Sequence, residues 1–262
     1  MGREQASTSP AAGVAPAPAG ETAPGGRHHR LGLIVAAGGY GHRLAAGGPK
    51  QYVPLLGVPM VRRTIAALDA CSAVHSLVVV VNAEDVDYCA EEIVGDRFAK
   101  VVAVVGGGAE RALSVRNGLA ALVHAGPFDL VGVHDGARPL ITCDEVARVC
   151  ARLVADPGLA GAILAAPSVD TLKRVDGQGI VVETPERGRL WRALTPQVFR
   201  WAAFAAAYDQ ADETLVAATD DSSLVEAAGG RVAVVEGSPE NLKVTNSADV
   251  WVAERLLSER VR

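Results

Sequence analysis

The feature that most constrains the fold is a repeated alternation between short apolar runs and amphipathic segments, which begins at Leu31. The apolar runs are rich in Val, Ile and Ala, as strands buried on both faces are, and the segments between them have helical spacing. This alternation is typical of a mostly parallel α/β sheet with helices on both faces. We predict six strands, at Leu31–Ala36, Leu77–Val81, Val101–Val105, Leu130–His134, Ala160–Ala165 and Val232–Val235. We predict helices near residues 58–72, 84–95, 110–125, 142–155 (opening with a capping box), 197–210, 219–228 and 247–260.

Length and composition favour one large domain and exclude several classes of function. With 262 residues, of which 49% are hydrophobic, the chain can bury a full core. The net charge of −5 provides no basic surface for nucleic acid. Because the chain has no secretory signal and no apolar run that could span a bilayer, we expect a cytoplasmic protein without a membrane partner.

The four cysteines are expected to be reduced thiols in the core. They lack C-x-x-C spacing, and no histidine lies at a zinc-finger interval. A free cysteine behaves as a small apolar residue. The four are Cys71, Cys89, Cys143 and Cys150.

The first 28 residues are rich in Ala, Pro and Gly and are predicted to be disordered. Such a segment buries too little apolar surface to offset the entropy lost on ordering. We therefore assign the folded domain to residues 29–262. No residues follow the last predicted helix, so we expect no second enzyme fused at the C-terminus.

A glycine-dense segment follows the first predicted strand, at the end of the sheet where ligands of parallel sheets bind. It contains Gly38, Gly39 and Gly41, then Arg43 and, past a second glycine pair, Lys50. Glycine backbone lets several N–H groups approach phosphate oxygens, and the two cations add positive charge. The segment predicts a site for a nucleoside triphosphate.

Two familiar glycine loops do not fit this segment. A P-loop requires Ser or Thr after its lysine, and Gln51 follows Lys50. The dinucleotide fingerprint requires a third glycine at the position that Leu44 occupies. The pattern that remains is similar to the signature loop of nucleotidyltransferases. The alternative is a plain glycine-rich connection with incidental cations.

Polar residues also follow the third and fourth predicted strands. Three glycines, Gly106 to Gly108, precede a predicted helix that carries Ser114, and the free N–H groups of that helix could meet a ligand. Asp135 comes directly after the fourth strand, where it could hold Mg²⁺ or only cap a turn. His134 is interpreted as a packed strand residue.

Charged residues elsewhere have either a ligand-binding or a purely structural interpretation. Arg111 and Arg116 could serve a ligand, but solvated helix charges are the commoner outcome. Asp220 follows Thr219 in a segment that could cap the next helix and nothing more. Lys243 follows the last predicted strand and would be a second lysine at the same edge of the sheet.

Residues 168–191 interrupt the alternation with two β-prone runs around Asp176–Gly179. This pattern indicates an inserted hairpin, or β-arm. Because an isolated hairpin is marginally stable in water, we expect a partner subunit to cover it. The segment Leu190–Gln197 then leads into the next predicted helix.

The order of these motifs resembles that of the 2-C-methyl-D-erythritol 4-phosphate cytidylyltransferase family, from about Leu31 to the C-terminus. The resemblance rests on A-A-G-x-G-x-R with P-K-Q-Y, G-G-x-x-E-R-x-x-S-V, H-D-x-A-R-P, A-P-x-x-D-T-x-K, L-W-x-A-L-T-P-Q, T-D-D and N-x-K-V-T. Each motif is weak alone, but seven in the family's order are specific.

The resemblance implies a Rossmann-like fold, transfer of CMP from CTP to methylerythritol phosphate, Mg²⁺ as cofactor and a homodimer joined by the β-arm. It implies catalytic cations at Arg43, Lys50 and Lys243, and Asp135 as the metal ligand. CTP-binding residues would be Ala36, Ala37, Gly38, Gly41, Gly107, Ser114 and Ala137. Residues at the second substrate would be Arg138 and Thr219, with Thr171 and Arg187 from the partner's arm.

Two positions depart from the family pattern. The first loop has one extra residue, in Gly39-Tyr40-Gly41, where the family usually has a single residue between glycines. This leaves open which amides touch phosphate. Gly136 stands where the family usually has alanine. Two other functions remain open: a cytidylyltransferase for another polyol phosphate such as ribitol 5-phosphate, and a nucleotide-binding regulatory module without turnover.

Overall fold

The protein is described by a computed structural model that covers residues 29–39, 49–210 and 212–260. Predictions for residues 1–28, Gly41 and Arg43 lie outside these ranges. The strands are β1 (Leu31–Ala36), β2 (Pro54–Leu55), β3 (Val58–Pro59), β4 (Ser76–Val81), β5 (Val101–Gly106), β6 (Leu130–Asp135), β7 (Gly161–Pro167), β8 (Arg174–Val175), β9 (Val181–Glu183), β10 (Trp191–Arg200) and β11 (Val232–Glu236). The α-helices are α1 (Met60–Asp69), α2 (Val86–Tyr88), α3 (Arg111–His124), α4 (Cys143–Ala155), α5 (Trp201–Tyr208), α6 (Asp212–Ala217), α7 (Asp221–Ala227) and α8 (Ser247–Arg260).

A seven-stranded sheet in the order β11-β7-β10-β6-β1-β4-β5 forms the centre of the domain. Neighbouring strands pair in parallel except at β10, which is antiparallel to both β6 and β7. All six predicted strands are confirmed, to within two residues at each end. The mostly parallel architecture is therefore confirmed as well.

The strand β10 was not predicted, and the helix expected near residues 197–210 begins only at Trp201. The middle of β10 carries Thr195, Pro196 and Gln197, so this strand lacks the apolar run by which the other strands are recognised. Proline cannot donate to a sheet ladder and is found at irregular points. The pairing of β10 with β7 shifts register in this region, between Ala193 and Gln197.

The helices cover both faces of the sheet, and alternate residues of β1 show the two sides. Leu33 packs with α1 and α4 on one face, whereas Ile34 packs with α3 and α5 on the other. Continuous apolar strands are what two covered faces require. No helix in the described ranges has the length and apolar composition needed to cross a membrane.

Two helical predictions need correction. Residues 84–95 form a broken segment, in which 3-10 turns and a π-helical stretch (Cys89–Val94) flank α2. The short helix α6 was missed. The capping box at α4 is confirmed, because the Thr142 side chain accepts from the Glu145 N–H at 3.3 Å and the Glu145 carboxylate accepts from the Thr142 N–H at 3.2 Å.

The expectation of four reduced cysteines is wrong for Cys71 and Cys143, which form a disulfide with a Cα–Cα distance of 5.0 Å. Cys71 follows α1, and Cys143 is the first residue of α4. The two are 72 residues apart, so their spacing along the chain carried no sign of their contact in the fold. Cys89 and Cys150 are free thiols, as expected.

The inserted hairpin is present, with β8 and β9 paired antiparallel. Every residue of both strands is exposed. Apolar side chains along this arm face solvent within one chain, among them Val169, Ile180 and Val182. That a partner subunit covers them remains a prediction.

Candidate active site

A cavity of about 260 Å³ lies beyond the carboxyl ends of β1 and β6, where parallel sheets hold their ligands. Several separate segments line it: Ala36 to Gly39 at the end of β1, Lys50 and Gln51, Gly108 to Arg111 with Ser114 at the start of α3, Asp135 and Ala137 at the end of β6, and Lys243. Glycine-rich backbone, three cations and two carboxylates therefore line the same space.

Three charged residues that are distant in sequence meet at this cavity. Lys50, Asp135 and Lys243 all line it, and Lys243 Nζ lies 3.1 Å from Asp135 Oδ2. A Cβ built on Gly39 would lie 3.2 Å from Lys50 Cε, so the glycine backbone and the Lys50 side chain are in close contact. The glycine loop and both lysines thus share one site.

Asp135 is surrounded by positive charge. Besides Lys243, Arg138 Nε lies 3.1 Å from Oδ2, and Arg111 Nη2 lies 4.0 Å from Oδ1. Burial alone would raise the pKa of Asp135, but Lys243, Arg138 and Arg111 together hold the pKa well below its ordinary value. Asp135 is therefore an anion at any physiological pH.

A buried polar chain holds the backbone of Asp135 in place. The Asp135 N–H donates to Thr195 Oγ1 at 3.1 Å, and Thr195 Oγ1 lies 3.0 Å from His134 Nδ1. His134 Nε2 lies 3.2 Å from the carbonyl oxygen of Arg138, which can only accept, so Nε2 carries the proton and Nδ1 accepts from Thr195. Burial lowers the pKa of His134 to about 4, which keeps the ring neutral. His134 is a packed strand residue, as predicted, and it also orients the site.

Arg111 is held by a residue that was not predicted to belong to the site. Its Nη2 donates to Asp221 Oδ2 at 2.7 Å, and the other oxygen of Asp221 accepts from the Tyr208 hydroxyl at 2.5 Å. Asp221 is fully buried. Burial alone would lower the pKa of Arg111, but Asp221 and Asp135 raise it.

The interpretation of Arg111 as a solvated helix charge is therefore wrong, whereas that of Arg116, which pairs at the surface with Asp212, is confirmed. The T-D-D motif was the available signal. Its first aspartate, Asp220, caps α7 through the Ser223 N–H at 2.9 Å. Asp221, the second aspartate, is not needed as a cap. An acid without a capping role is a candidate for a contact with another charged residue.

The backbone predicted to meet phosphate is only partly described. Ala36, Ala37 and Gly38 line the cavity, whereas Gly41 and Arg43 lie outside the described residues. A Cβ on Gly38 would lie 3.3 Å from Asn82 Oδ1, so the loop passes tightly over the end of β4. This close approach accounts for the glycine.

At the end of β5, which is the third predicted strand, Gly108 lines the cavity and Gly107 does not. The Gly107 N–H is used within the fold, donating to the Val81 carbonyl at 2.7 Å. Ser114 lines the cavity, and its Oγ accepts from the Gly108 N–H at 3.1 Å. Ser114 therefore lines the cavity as predicted. Of the two glycines Gly108 lines it and Gly107 does not, although the N–H of each is already used within the fold.

The residues predicted for the second substrate are more dispersed. Arg138 is buried against Asp135, and its Nη1 donates to the Asn241 carbonyl at 2.8 Å. Thr219 is exposed, and it is not among the residues that line the cavity. Thr171 and Arg187 are on the exposed arm, away from the wall of the cavity in their own chain.

Asp135 can take part in metal binding only together with another ligand. Its Oδ2 is shared by Lys243 and Arg138, which leaves Oδ1 as the less occupied oxygen. The described residues contain no group of three side chains that could hold a metal ion by themselves. One carboxylate fits Mg²⁺ that is bound mainly by substrate phosphates and water.

Comparison with known proteins agrees with this geometry. Residues 31–259 match the family model described as 2-C-methyl-D-erythritol 4-phosphate cytidylyltransferase. A relative of that name from Geobacter metallireducens is 39% identical, over 87% of this chain and 97% of its own length. One from Pelotomaculum thermopropionicum is 41% identical, over 88% and 95%.

Solved structures are also similar. A 4-diphosphocytidyl-2C-methyl-D-erythritol synthase from Anaerococcus prevotii has a TM-score of 0.74 and 27% identity, covering 88% of this chain and 97% of that one. The Francisella tularensis 2-C-methyl-D-erythritol 4-phosphate cytidylyltransferase has a TM-score of 0.73 and 28% identity, covering 86% and 99%. This chain belongs to the 2-C-methyl-D-erythritol 4-phosphate cytidylyltransferase family.

Proposed function

We propose that this protein is a cytoplasmic, Mg²⁺-dependent enzyme that transfers CMP from CTP to 2-C-methyl-D-erythritol 4-phosphate, releasing pyrophosphate. The observation that carries the proposal is the meeting of Lys50, Asp135 and Lys243 at one glycine-lined cavity. Family membership supports the same reaction, which would supply a precursor of isoprenoids by the non-mevalonate pathway.

The electrostatic difficulty of this reaction is that both reactants are anions. The 4-phosphate oxygen of the acceptor attacks the α-phosphorus of CTP in line with the leaving pyrophosphate. Lys50 and Lys243 reduce the repulsion between the reactants and stabilise the charge that develops on the α-phosphate. The attacking oxygen is already ionised, so no general base is needed.

The other residues bind and orient the substrates. The backbone from Ala36 to Gly38 would lie along the triphosphate, although the Ala37 N–H itself donates to the Val80 carbonyl at 2.7 Å. Ser114 and Gly108 would contact the nucleoside end. Arg43 adds a cation from the glycine loop. Asp135 is the residue that would hold Mg²⁺, which when bound neutralises phosphate charge and aligns the phosphates for attack.

The second substrate is proposed to contact Arg138 and Thr219 of one subunit, with Thr171 and Arg187 of the arm of a second subunit. Exposed apolar side chains along the arm support a homodimer in which this surface is covered. Complementation tests the arrangement. Protein carrying Lys50→Ala is mixed in equal amount with protein carrying Arg187→Ala, and the subunits are allowed to exchange. About half of the dimers should then be heterodimers, and each should have one intact site of two. Activity should therefore return at about a quarter of all sites. No recovery would contradict shared sites.

The reaction itself is tested by pyrophosphate release from CTP with purified full-length protein. We expect turnover with methylerythritol phosphate and a kcat/KM at least about a hundredfold lower with ribitol 5-phosphate, equivalent to about 3 kcal/mol of transition-state binding. The reverse preference would assign the enzyme to another polyol phosphate. Tight CTP binding without turnover would instead indicate a regulatory module.

A further inference from the structure

A second cavity, of about 380 Å³, lies between α1 and the C-terminal end of α8. It shares no lining residue with the candidate active site. Four arginines surround it: Arg62, Arg63, Arg97 and Arg260. Its volume is within the range of cavities that bind small organic ligands.

The positive charge of this cavity is largely unbalanced. Arg63 Nε donates to the Leu55 carbonyl at 2.8 Å, Arg97 Nη1 donates to the Val94 carbonyl at 3.4 Å, and Arg62 donates to the Glu92 carbonyl. Carbonyl groups orient a guanidinium without neutralising it. Within the described ranges, no carboxylate oxygen lies within 4.0 Å of the guanidinium nitrogens of these three arginines.

The carboxylates nearby are already engaged elsewhere. Arg260 pairs with Glu240 at 3.0 Å, at the edge of the cavity. Glu254 acts on Arg63 at longer range, and its Oε1 accepts the Leu56 N–H at 2.8 Å. The charges of Arg62 and Arg97 therefore remain for an external anion, and that of Arg63 is only partly offset by Glu254.

One buried polar atom in this group lacks a hydrogen-bond partner. Arg62 Nε is buried and forms no hydrogen bond within the part of the chain that the structure describes. A buried donor without an acceptor is unfavourable, so the fold does not fully satisfy this guanidinium group. Because Arg62 Nε is out of reach of solvent, an oxyanion in the cavity would bind the other guanidinium N–H groups, whose geometry matches phosphate.

The rest of the cavity wall is apolar. Phe98, Ile141 and Leu257 line it, together with Ala66 and Ala67 of α1. A free inorganic anion would leave this surface unused. A ligand with a charged head and an apolar body would use both parts, since burial of apolar surface favours binding.

We propose that this cavity is a second binding site, for a small phosphate or diphosphate ester with an apolar body. Three guanidinium groups suit a phosphate, with its charge of about −2, better than a singly charged carboxylate. One residue of the cavity wall, Ile141, follows Arg138 by three positions in the chain.

The test is isothermal titration of the full-length protein with pentyl phosphate. We expect saturable binding, and at least about tenfold weaker binding of both inorganic phosphate and 1-pentanol, because each lacks one half of the ligand. The double variant Arg62→Gln/Arg97→Gln should lose at least about tenfold in affinity. Arg255→Gln, which changes an exposed arginine on α8 paired with Glu259, should leave the affinity unchanged.

Two further variants determine which cavity the probe occupies. Ala66→Phe fills the arginine-lined cavity without replacing an arginine, and it should abolish binding. It keeps the test decisive if the double variant does not fold. Lys243→Gln should have no effect. Binding that is lost in Lys243→Gln and kept in Ala66→Phe would place the probe in the candidate active site and overturn the proposal. Absence of saturable binding, or phosphate binding as tightly as pentyl phosphate, would also overturn it.

Discussion

Arg111 Nη2 lies 2.7 Å from the buried carboxylate of Asp221 and 4.0 Å from that of Asp135. One guanidinium therefore faces two acids, and its shorter contact is with the acid outside the cavity. Asp221 is itself held by the Tyr208 hydroxyl. This arrangement keeps Arg111 at the cavity wall and leaves Asp135 Oδ1 open to another ligand.

We expect Asp221→Asn to raise the Mg²⁺ concentration needed for half-maximal activity. Without the negative charge of Asp221, the guanidinium of Arg111 is drawn to Asp135 Oδ1 and competes there with the metal ion. A shift of about three- to tenfold corresponds to about 1 kcal/mol. The measurement is pyrophosphate release as a function of Mg²⁺ concentration.

Asp212→Asn is the matched control, because it makes the same chemical change in the surface pair that Asp212 forms with Arg116, which lies on the same helix as Arg111. This variant should respond to Mg²⁺ as the unchanged protein does. Equal responses of Asp221→Asn and the unchanged protein would contradict the role assigned to Asp221.

The sequence was sufficient for the parts of the fold with regular periodicity. The apolar strands predicted the sheet, and the residues after strands β1 and β6 predicted its functional edge. It was insufficient for β10, whose buried Thr195 and Gln197 resemble a polar connection. Those polar groups are stable in a central strand only because each has a partner there, such as the Ser222 N–H for Gln197 at 3.0 Å.

Many residues that line the candidate site were predicted from motifs, but the motifs did not predict the hydrogen-bond partner of each residue. Asp135 was identified by its position after a strand. Its support by Thr195 and the neutral ring of His134 depends on a strand that was not predicted. The contact of Arg111 with Asp221 joins residues 110 positions apart. The sequence around neither residue contains a pattern that predicts this contact.

Thr195→Val is expected to destabilise the fold and to reduce kcat. Valine keeps the shape but removes the hydroxyl, so the Asp135 N–H loses its acceptor and His134 Nδ1 loses its donor. Loss of buried partners costs about 1–3 kcal/mol, measured by urea unfolding. Thr195→Ser keeps the hydroxyl and should retain both stability and kcat. If Thr195→Val had normal stability and kcat, the hydrogen-bond chain would have no role.

The cysteines are expected to differ in their reactivity toward iodoacetamide at pH 8. Burial raises the pKa of Cys150 to about 12, and burial together with the charge of Asp85 raises the pKa of Cys89 to about 12. The thiolate is the reactive form, so both should remain unlabelled in the folded protein. Mass spectrometry of the native protein checks this expectation.

Unfolding the same protein in urea tests the disulfide between Cys71 and Cys143. We expect two alkyl groups without reductant and four with it, since the chain has four cysteines. A Cys71→Ala variant should take three under both conditions. Four alkyl groups on the unreduced protein would contradict the disulfide.

Lys50→Ala and Arg43→Ala are each expected to abolish turnover while leaving the fold intact. Removing a cation that stabilises developing phosphate charge costs several kcal/mol in the transition state, a loss of about 10³-fold or more in kcat. Unfolding of the Lys50→Ala variant in urea should be unchanged, because Lys50 is only half-buried at the cavity. Near-normal kcat in either variant would refute the role of that residue.

A crystal structure of the protein with CTP and Mg²⁺ tests the central claim most directly. The account predicts one triphosphate in the glycine-lined cavity, with Lys50 and Lys243 in contact with its oxygens and Mg²⁺ between Asp135 and the phosphates. A triphosphate bound at any other surface, or one in this cavity that touches neither lysine, would contradict it.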